Sequence, residues 1–514
     1  MPDIQALTLG DLVRGNARAF PNRPAVVCGS VRYTYATFER RVNMTANALA
    51  SEGVGPGDRV LWLGQNCHRL LELLLASAKL GAIFCPANWR QTAAELAFVI
   101  EDSDPAVVVW QKEETGAAAT EARALAKNRV RWICHDDGEY ESLVGAAGGS
   151  DPDGEVDPRS PVLMMYTAAF GGTPNGALLT HQGLLIQNLV MASVQGVDSS
   201  YVFLNSGPLF HVATFMTTLA TLHFGGNNVF MSRFDPIEFC HVVETEGVTG
   251  AFVVGAMMQE VVEANREGRY NLKSLRTMGS MLWGVPQEWL DMTTPDDSPW
   301  AKRPAGYGQT EVGGMATLNA LGEPGVGSHG RPSPFVQIRV VDDEDREVPA
   351  GETGEIVVRG PTVMAGYWRR PELNAERARG GWHHTNDLGR QEVDGTISFI
   401  GPKTRIVKSA AENIYPIEVE SCIRSHPAVQ DVVVLGVPDP KWTQSVKAVV
   451  VLNDGATATA DEIIAHCKER IASYKKPKIV EFASSLPRTS IGLVDRDAVD
   501  DLFGGGGYPG SGGR

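Results

Sequence analysis

The sequence predicts an α/β protein, with a largely parallel sheet covered by helices and a separate small unit over the last hundred residues. Two observations carry this. From about Thr37 helix and strand signals alternate, and such repetition marks parallel strands with helices on their faces. Toward the C-terminus two apolar strands flank a polar turn and a capped helix follows. At ~150 residues per domain, the 514 residues suit about three folding units.

In order along the chain, Thr37 is placed to cap a helix whose apolar Phe38, Val42, Ala46 and Leu49 share one face, with Gly53 as the stop. The turn Val54-Gly55-Pro56-Gly57-Asp58 leads into a strand from Arg59 to Leu63. A second helix, His68 to Leu80, ends at Gly81 and precedes a strand from Ile83 to Pro86. Another helical stretch leads to a strand from Ala106 to Trp110. Gly145 to Pro161, rich in Gly, Asp, Ser and Pro, reads as a surface loop. Near the C-terminus, strands at Val432–Val437 and Lys447–Leu452 are followed by a helix. Thr459 and Glu462 are its capping pair, and it buries Ile463, Ile464, Cys467 and Ile471. The tail from Gly504 to Arg514 holds seven glycines in eleven residues and is expected to be disordered.

Composition narrows function by exclusion. Lys and Arg number 46 against 61 Asp and Glu, a formal charge of −15. No basic cluster suited to nucleic acid is present. No apolar run reaches the ~18 residues of a membrane span, and Met1 to Gly10 lacks the pattern of a signal peptide. Seven cysteines without a CxxC pair suit reduced thiols rather than a disulfide framework or zinc site. A cytoplasmic enzyme is the expectation; self-association into a homo-oligomer is left open.

Five segments carry chemistry. Tyr166-Thr-Ala-Ala-Phe-Gly-Gly-Thr-Pro-Asn-Gly176 lies between an apolar strand and a helix beginning near Thr180-His181, where Gly-rich loops cradle phosphates. The others are Gly306-Tyr-Gly-Gln-Thr-Glu311, Trp382-His-His-Thr-Asn-Asp387-Leu-Gly389, Gly401 to Glu420, and Pro487-Arg-Thr-Ser-Ile-Gly492. Secondary markers are Pro208-Leu-Phe-His211, Gly351-Glu-Thr-Gly-Glu-Ile and Gly366-Tyr-Trp. In this order and spacing, from about Thr8 to Val499, the chain resembles the adenylate-forming superfamily, in its acyl-CoA synthetase branch.

That resemblance implies a large N-terminal AMP- and acyl-binding domain (1–403) of stacked αβαβα sandwiches plus a β-barrel subdomain. A small mobile α+β C-terminal domain (404–503) would follow a hinge near Thr404. It implies two half-reactions: carboxylate and ATP give acyl-AMP and pyrophosphate, then a thiol, usually of CoA, displaces AMP. It also implies roles. Tyr307, within Gly306, Gly308 and Gln309, stacks on adenine; Thr310 bonds the α-phosphate; Asp387 holds the ribose hydroxyls; His211 sits near the acyl carbonyl. Glu311 is the family's Mg2+ ligand, a role left in doubt here, and no protein metal site is expected.

The departures are as informative. Where the family's phosphate loop reads Tyr-Thr-Ser-Gly-Thr-Thr-Gly-x-Pro-Lys-Gly, this chain has Ala168, Ala169, Phe170, Gly171 and Asn175, keeping Gly172 and Gly176. The family's terminal lysine is Leu493. Three hydroxyls and two cations are therefore missing around the polyphosphate and the attacking carboxylate, and losing one preorganised group costs roughly 10²–10³ in rate. The family's hinge Arg is Pro402, for which Arg405 is the candidate substitute. The glycines of the pantetheine tunnel are Ala410 and Ala411, and the Gly before the ribose Asp is Asn386.

The leading reading is a non-adenylating ligase that takes acyl-AMP from a separate adenylating enzyme and makes acyl-CoA and AMP. The pattern is similar to that of the non-adenylating ligases of platensimycin-type diterpenoid biosynthesis, which implies the adenylate of a bulky polycyclic acid. Apolar, methionine-rich Phe210–Met216, Val253–Met258 and Gly279–Trp283 would line its pocket. Two alternatives stand beside it: a complete ATP-dependent ligase drawing cations from Lys403, Arg405, Lys408, Lys475 or Lys476, and an inactive binder of acyl-AMP or acyl-CoA.

Overall fold

The structure is a computed structural model that describes residues 4–152, 154–167, 174–253, 255–278, 287–293, 306–318, 329–403, 407–409, 412–414, 416–487, 494 and 496–504. One sheet runs in the order Gly366–Tyr367, Asn175–Thr180, Pro161–Thr167, Ile83–Pro86, Arg59–Leu63, Val107–Trp110, Arg131–Cys134. Its last five strands are parallel and its first two are antiparallel additions. The second runs Thr277–Met278, Gly250–Ala251, Val202–Asn205, Asn227–Phe230, Pro24–Cys28, Val31–Thr34, and only the last pairing is antiparallel.

Strand alternation builds the layers. Val26 of the second sheet and Val60 and Trp62 of the first face a shared central core filled by helices Leu9–Ala19, Tyr35–Ser51, His68–Leu80 and Val212–His223. Their neighbours Val27, Leu61 and Leu63 face outward. Val27 packs with the layer of helix Pro236–Glu246, and the two leucines with that of Ala93–Ser103 and Lys112–Leu125. The result is the stacked αβαβα arrangement. A four-stranded antiparallel sheet, Gln337–Val341, Thr353–Arg359, His383–Gln391 and Ile397–Pro402, follows with its own core, into which Tyr307 is built.

In the C-terminal unit Val429–Asp439 and Thr443–Leu452 form a long hairpin, extended by Val407–Ser409 and Glu412–Ile414 and flanked by Ile479–Phe482. Helices Pro416–Arg424 and Ala460–Arg470 cover one face, and Arg496–Phe503 adds Val499 to the core on the other. Thr459 and Glu462 form the expected capping box. Ile463 and Cys467 are buried, Ile464 is half-buried, and Ile471 lies just past the helix end.

Local punctuation explains the agreements and the misses. His68–Leu80 ends at Gly81 with φ +68°, and the strands Arg59–Leu63 and Ile83–Pro86 fall as expected. The helix expected to start at Thr37 is instead capped by Thr34, whose hydroxyl accepts from the Thr37 N–H to close a capping box. The helix after the phosphate-loop segment starts at His181 with Thr180 as its cap, as expected, but does not follow the loop directly. Thr167 pairs with Asn175, and a second strand intervenes before helix His181–Gln195. The hinge near Thr404, Arg405, Ala410, Ala411, Leu493, loop residues 168–173 and the tail beyond Gly504 lie outside the described residues. All seven cysteines are free, and among the described residues no helix is long and apolar enough to cross a membrane.

Leu71, fully buried in the central helix layer, gives a direct check on that layer. Leu71→Ala is expected to destabilise the N-terminal unit by about 2–5 kcal/mol, read as a lower urea midpoint; an unchanged midpoint would contradict the placement.

Candidate active site

The segment 306–311 folds as a tight hairpin. At Gly306 (φ +134°) a Cβ would fall 2.0 Å from the Thr317 carbonyl oxygen, and at Gly308 it would fall 2.0 Å from that of Gly314. Only glycine permits this approach, and it leaves Tyr307 fixed between them, its N–H on the Thr317 hydroxyl at 2.8 Å. The Tyr307 hydroxyl donates to Asp387 Oδ2 at 2.7 Å, and Gln309 Nε2 donates to the same oxygen at 3.1 Å. Gln309 Oε1 in turn meets His383 Nε2 at 3.0 Å. Tyr307, Gln309 and Asp387, separate in sequence, thus form one hydrogen-bonded group. Phe399 stacks on the Tyr307 ring at 5.4 Å, leaving at most one face of that ring for a base.

Burial pushes the Asp387 carboxyl up to about 6, against the Tyr307 hydrogen bond and the Lys408 charge, which favour ionisation. Asn386 supplies the turn before it. Its φ is +62°, the left-handed conformation that glycine favours and that asparagine tolerates better than most residues. Its N–H donates to Glu355 Oε1 at 2.9 Å. Glu355 is itself buried, yet hydrogen bonds from Lys403 and His384 outweigh burial and hold it at about 2. The missing glycine therefore leaves Asp387 in place.

Thr310 opens a single 3-10 turn, Thr310–Val312, closed by Gly313. Next to it, Glu311 Oε1 accepts from Tyr367 Oη at 2.8 Å and from Thr167 Oγ1 at 3.1 Å. Among the described residues no group of three His, Cys, Asp or Glu side chains gathers for a metal. Glu311 fits the single anionic arm that a Mg2+ ion carried by substrate phosphates takes, where the ion would neutralise phosphate charge. Asn175, at the family's lysine position, is buried and accepts from Arg370 Nε at 3.1 Å.

His211 stands apart from the Tyr307 group. It caps helix Val212–His223, and its Nε2 lies 3.2 Å from Glu412 Oε2 of the C-terminal unit. Arg90 pairs with the other Glu412 oxygen. Burial disfavours the Glu412 charge, but the His211 hydrogen bond and the Arg90 and Lys475 charges outweigh it, so this carboxyl is lowered. Because a carboxylate only accepts, His211 meets Glu412 as the donor, through Nε2–H.

Of the candidate cations, Lys403 is taken by Glu355 at 2.9 Å, Lys475 by Glu95 and Glu418, and Lys476 by the carbonyl and hydroxyl of Ser473. Lys408 differs. Its ammonium lies 5.3 Å from the Phe399 ring centroid, and among the described residues no carboxylate is within ion-pair distance. Met216 and Met258 pack into cores, and Gly279–Trp283 lies outside the described residues. A cavity of about 400 Å³ lies elsewhere, bordered by Gln65, Asn66, Arg69, Gln111 and Glu141. Much of its polar wall is internally paired: Gln65 with Gln111, Arg69 with Glu141, and Asn66 with the backbone of Gly207 and Leu209.

Sequence reading missed Arg90 and Phe399, which lie outside the five segments, and gave no role to His383 and Glu412, which lie inside two of them. Glu412 is remote from His211 in sequence, and only the folded C-terminal unit brings it there.

The fold and the motif residues gathered at this hairpin point to an adenylate-forming type of enzyme. Residues 13–368 match the AMP-binding enzyme family and residues 418–493 the AMP-binding enzyme C-terminal domain. A feruloyl-CoA synthase of Amycolatopsis is 39% identical over 96% of this chain and 99% of its own. Among solved structures, o-succinylbenzoate CoA synthetase from Bacillus subtilis, bound with its product analogue, has a TM-score of 0.81 at 25% identity, covering 95% and 98% of the two chains. ATP-bound MatB from Rhodopseudomonas palustris has a TM-score of 0.68 at 26% identity, over 97% and 99%. The chain belongs to the AMP-binding enzyme family, and within it to the acyl-CoA synthetases and ligases.

If Asp387 holds ribose hydroxyls as a carboxylate, protonation removes the acceptor as pH falls through about 6. Adenosine, which has no phosphate to titrate, is then expected to bind about tenfold more weakly at pH 5 than at pH 8. Affinity flat across this range by calorimetry would remove Asp387 from that role.

Proposed function

We propose that the chain catalyses the thioester-forming half-reaction alone: acyl-AMP and CoA give acyl-CoA and AMP, the adenylate coming from a separate enzyme. The observation that carries this reading is the uneven survival of charge. The Tyr307–Gln309–Asp387 group is assembled, while the positions that should present cations to polyphosphate hold Asn175, whose amide is engaged by Arg370, and Leu493. Two of the nearby lysines are neutralised by carboxylates.

The second half-reaction suits what is kept. Acyl-AMP is a mixed anhydride, already activated. The thiol sulfur attacks the acyl carbon, the bond from that carbon to the phosphate oxygen breaks, and AMP leaves with the electron pair. His211 Nδ1 takes the thiol proton while Nε2–H stays on Glu412. Thr310 holds the α-phosphate, Tyr307 and Asp387 the nucleoside. A thiol of pKa about 8.5 is a few per cent ionised at neutral pH, so modest assistance is enough. The likeness to the diterpenoid-pathway ligases extends the proposal to a bulky polycyclic acyl group and to action in natural-product biosynthesis in the cytoplasm.

A complete ATP-dependent ligase is the second reading, favoured by the names of the relatives and by the ammonium of Lys408, which has no carboxylate partner among the described residues. ATP–pyrophosphate exchange separates the two. With a panel of polycyclic and aromatic acids, no exchange is expected from this chain, nor from Leu493→Lys, whose phosphate loop stays altered. Exchange in the unmodified protein would establish the second reading; exchange only in Leu493→Lys would make that single position the whole defect.

A further inference from the structure

Four polar contacts join the C-terminal unit to the N-terminal one around His211, and they differ in burial. His211 meets Glu412 at 3.2 Å and Arg90 pairs with the same carboxylate, but both of these N-terminal side chains are more than a third exposed. Asn88 Nδ2 donates to Tyr474 Oη at 3.2 Å. Lys475, 5% exposed, reaches Glu95 of helix Ala93–Ser103 at 3.0 Å and also pairs with Glu418 of its own unit. Of the ion pairs between the units among the described residues, Lys475–Glu95 has the most thoroughly buried cation, and therefore the least screened one. The exposed Lys441–Glu260 pair, at 4.0 Å, contributes little by comparison.

Both partners of the pair also have contacts within their own units. When the units separate, Lys475 keeps Glu418, so its ammonium is not stranded. Glu95 keeps the Thr92 N–H and hydroxyl, both at 2.9 Å in the cap of its own helix. Each partner thus has a resting contact, and closure adds the cross-unit one. Tyr474, beside Lys475, brings its hydroxyl to Asn88 in the same movement, and residues 412–414 of the same sheet carry Glu412 to His211.

We propose that Lys475 is a positioning residue: its ion pair with Glu95 latches the C-terminal unit in the orientation that brings Glu412 to His211. The consequence for rate rests on the thioester-forming reading above; the consequence for orientation does not. Lys475 touches no reacting atom and acts through Glu412 and His211.

The test is made on the full chain with genetically encoded spin labels at the exposed positions Val393 and Glu469. Pulsed electron-resonance distances report the closed population, and CoA-dependent AMP release from a synthetic acyl-AMP reports the rate. Lys475→Met is expected to shrink the closed population and lower kcat at least tenfold, with KM for acyl-AMP changed less than threefold. Lys475→Arg should restore both. Because Lys475→Met leaves two carboxylates unpaired and could impair folding, Glu95→Gln serves as the second variant: glutamine still closes the capping box, yet the cross-unit charge is gone. Loss of closure in Glu95→Gln with adenosine affinity intact supports the latch. An unchanged distance distribution in Glu95→Gln overturns it, whatever the rates. A distribution that changes while kcat holds overturns the positioning role, since Glu412 and His211 would then not set the rate; no CoA-dependent AMP release from the unmodified protein, with the distances as expected, keeps the latch and sinks the thioester reading instead.

Discussion

A single buried carboxylate, Glu412, ties the two units together where His211 lies. It receives His211 and Arg90 from the large domain and belongs to the smaller one, so neither unit holds the arrangement by itself. Burying such a charge is costly unless it is paired, and here three cations or proton donors outweigh that cost. The contact uses Nε2 of His211 and turns Nδ1 away from the carboxylate.

Charge placement is also what the proposed half-reaction rests on. Adenylation must bring two anions together, a carboxylate and an α-phosphate, and expel a third, pyrophosphate; cations in a dry site make that affordable. Thioester transfer from a ready-made anhydride asks for far less. The chain assembles the uncharged and acidic groups proposed to hold the nucleoside, Tyr307, Gln309 and Asp387, while Lys403 and Lys475 serve Glu355, Glu95 and Glu418 in structural roles. Lys408 alone of the described candidates stands near the nucleoside group without a carboxylate partner.

Much of the fold was legible because its signals are local. Gly81 marks a left-handed helix stop, Thr459 and Glu462 a cap, and the apolar strands Arg59–Leu63 and Ile83–Pro86 sit where hydrophobicity puts them. The Thr34 cap was missed because Thr37 is an equally good capping residue, and only the folded turn distinguishes cap from third position. At the site, motif spacing identified Tyr307, Asp387 and His211 but not what they touch. Asn386 reads as a lost glycine, whereas its backbone keeps the left-handed turn. Lys475 reads as a candidate cation, whereas Glu95, 380 residues away in sequence, has already claimed it. Pairings at such separation leave no periodic trace, and without them a lysine's charge cannot be assigned to solvent, substrate or scaffold.

The most direct measurement is a paired thioester assay on one polycyclic acid. The enzyme receives CoA with either the acid and ATP or the chemically made acyl-AMP. Thioester from acyl-AMP alone is the predicted result. Thioester from both at comparable rates would contradict the account and show that the lost loop hydroxyls and lysines are replaced within this chain.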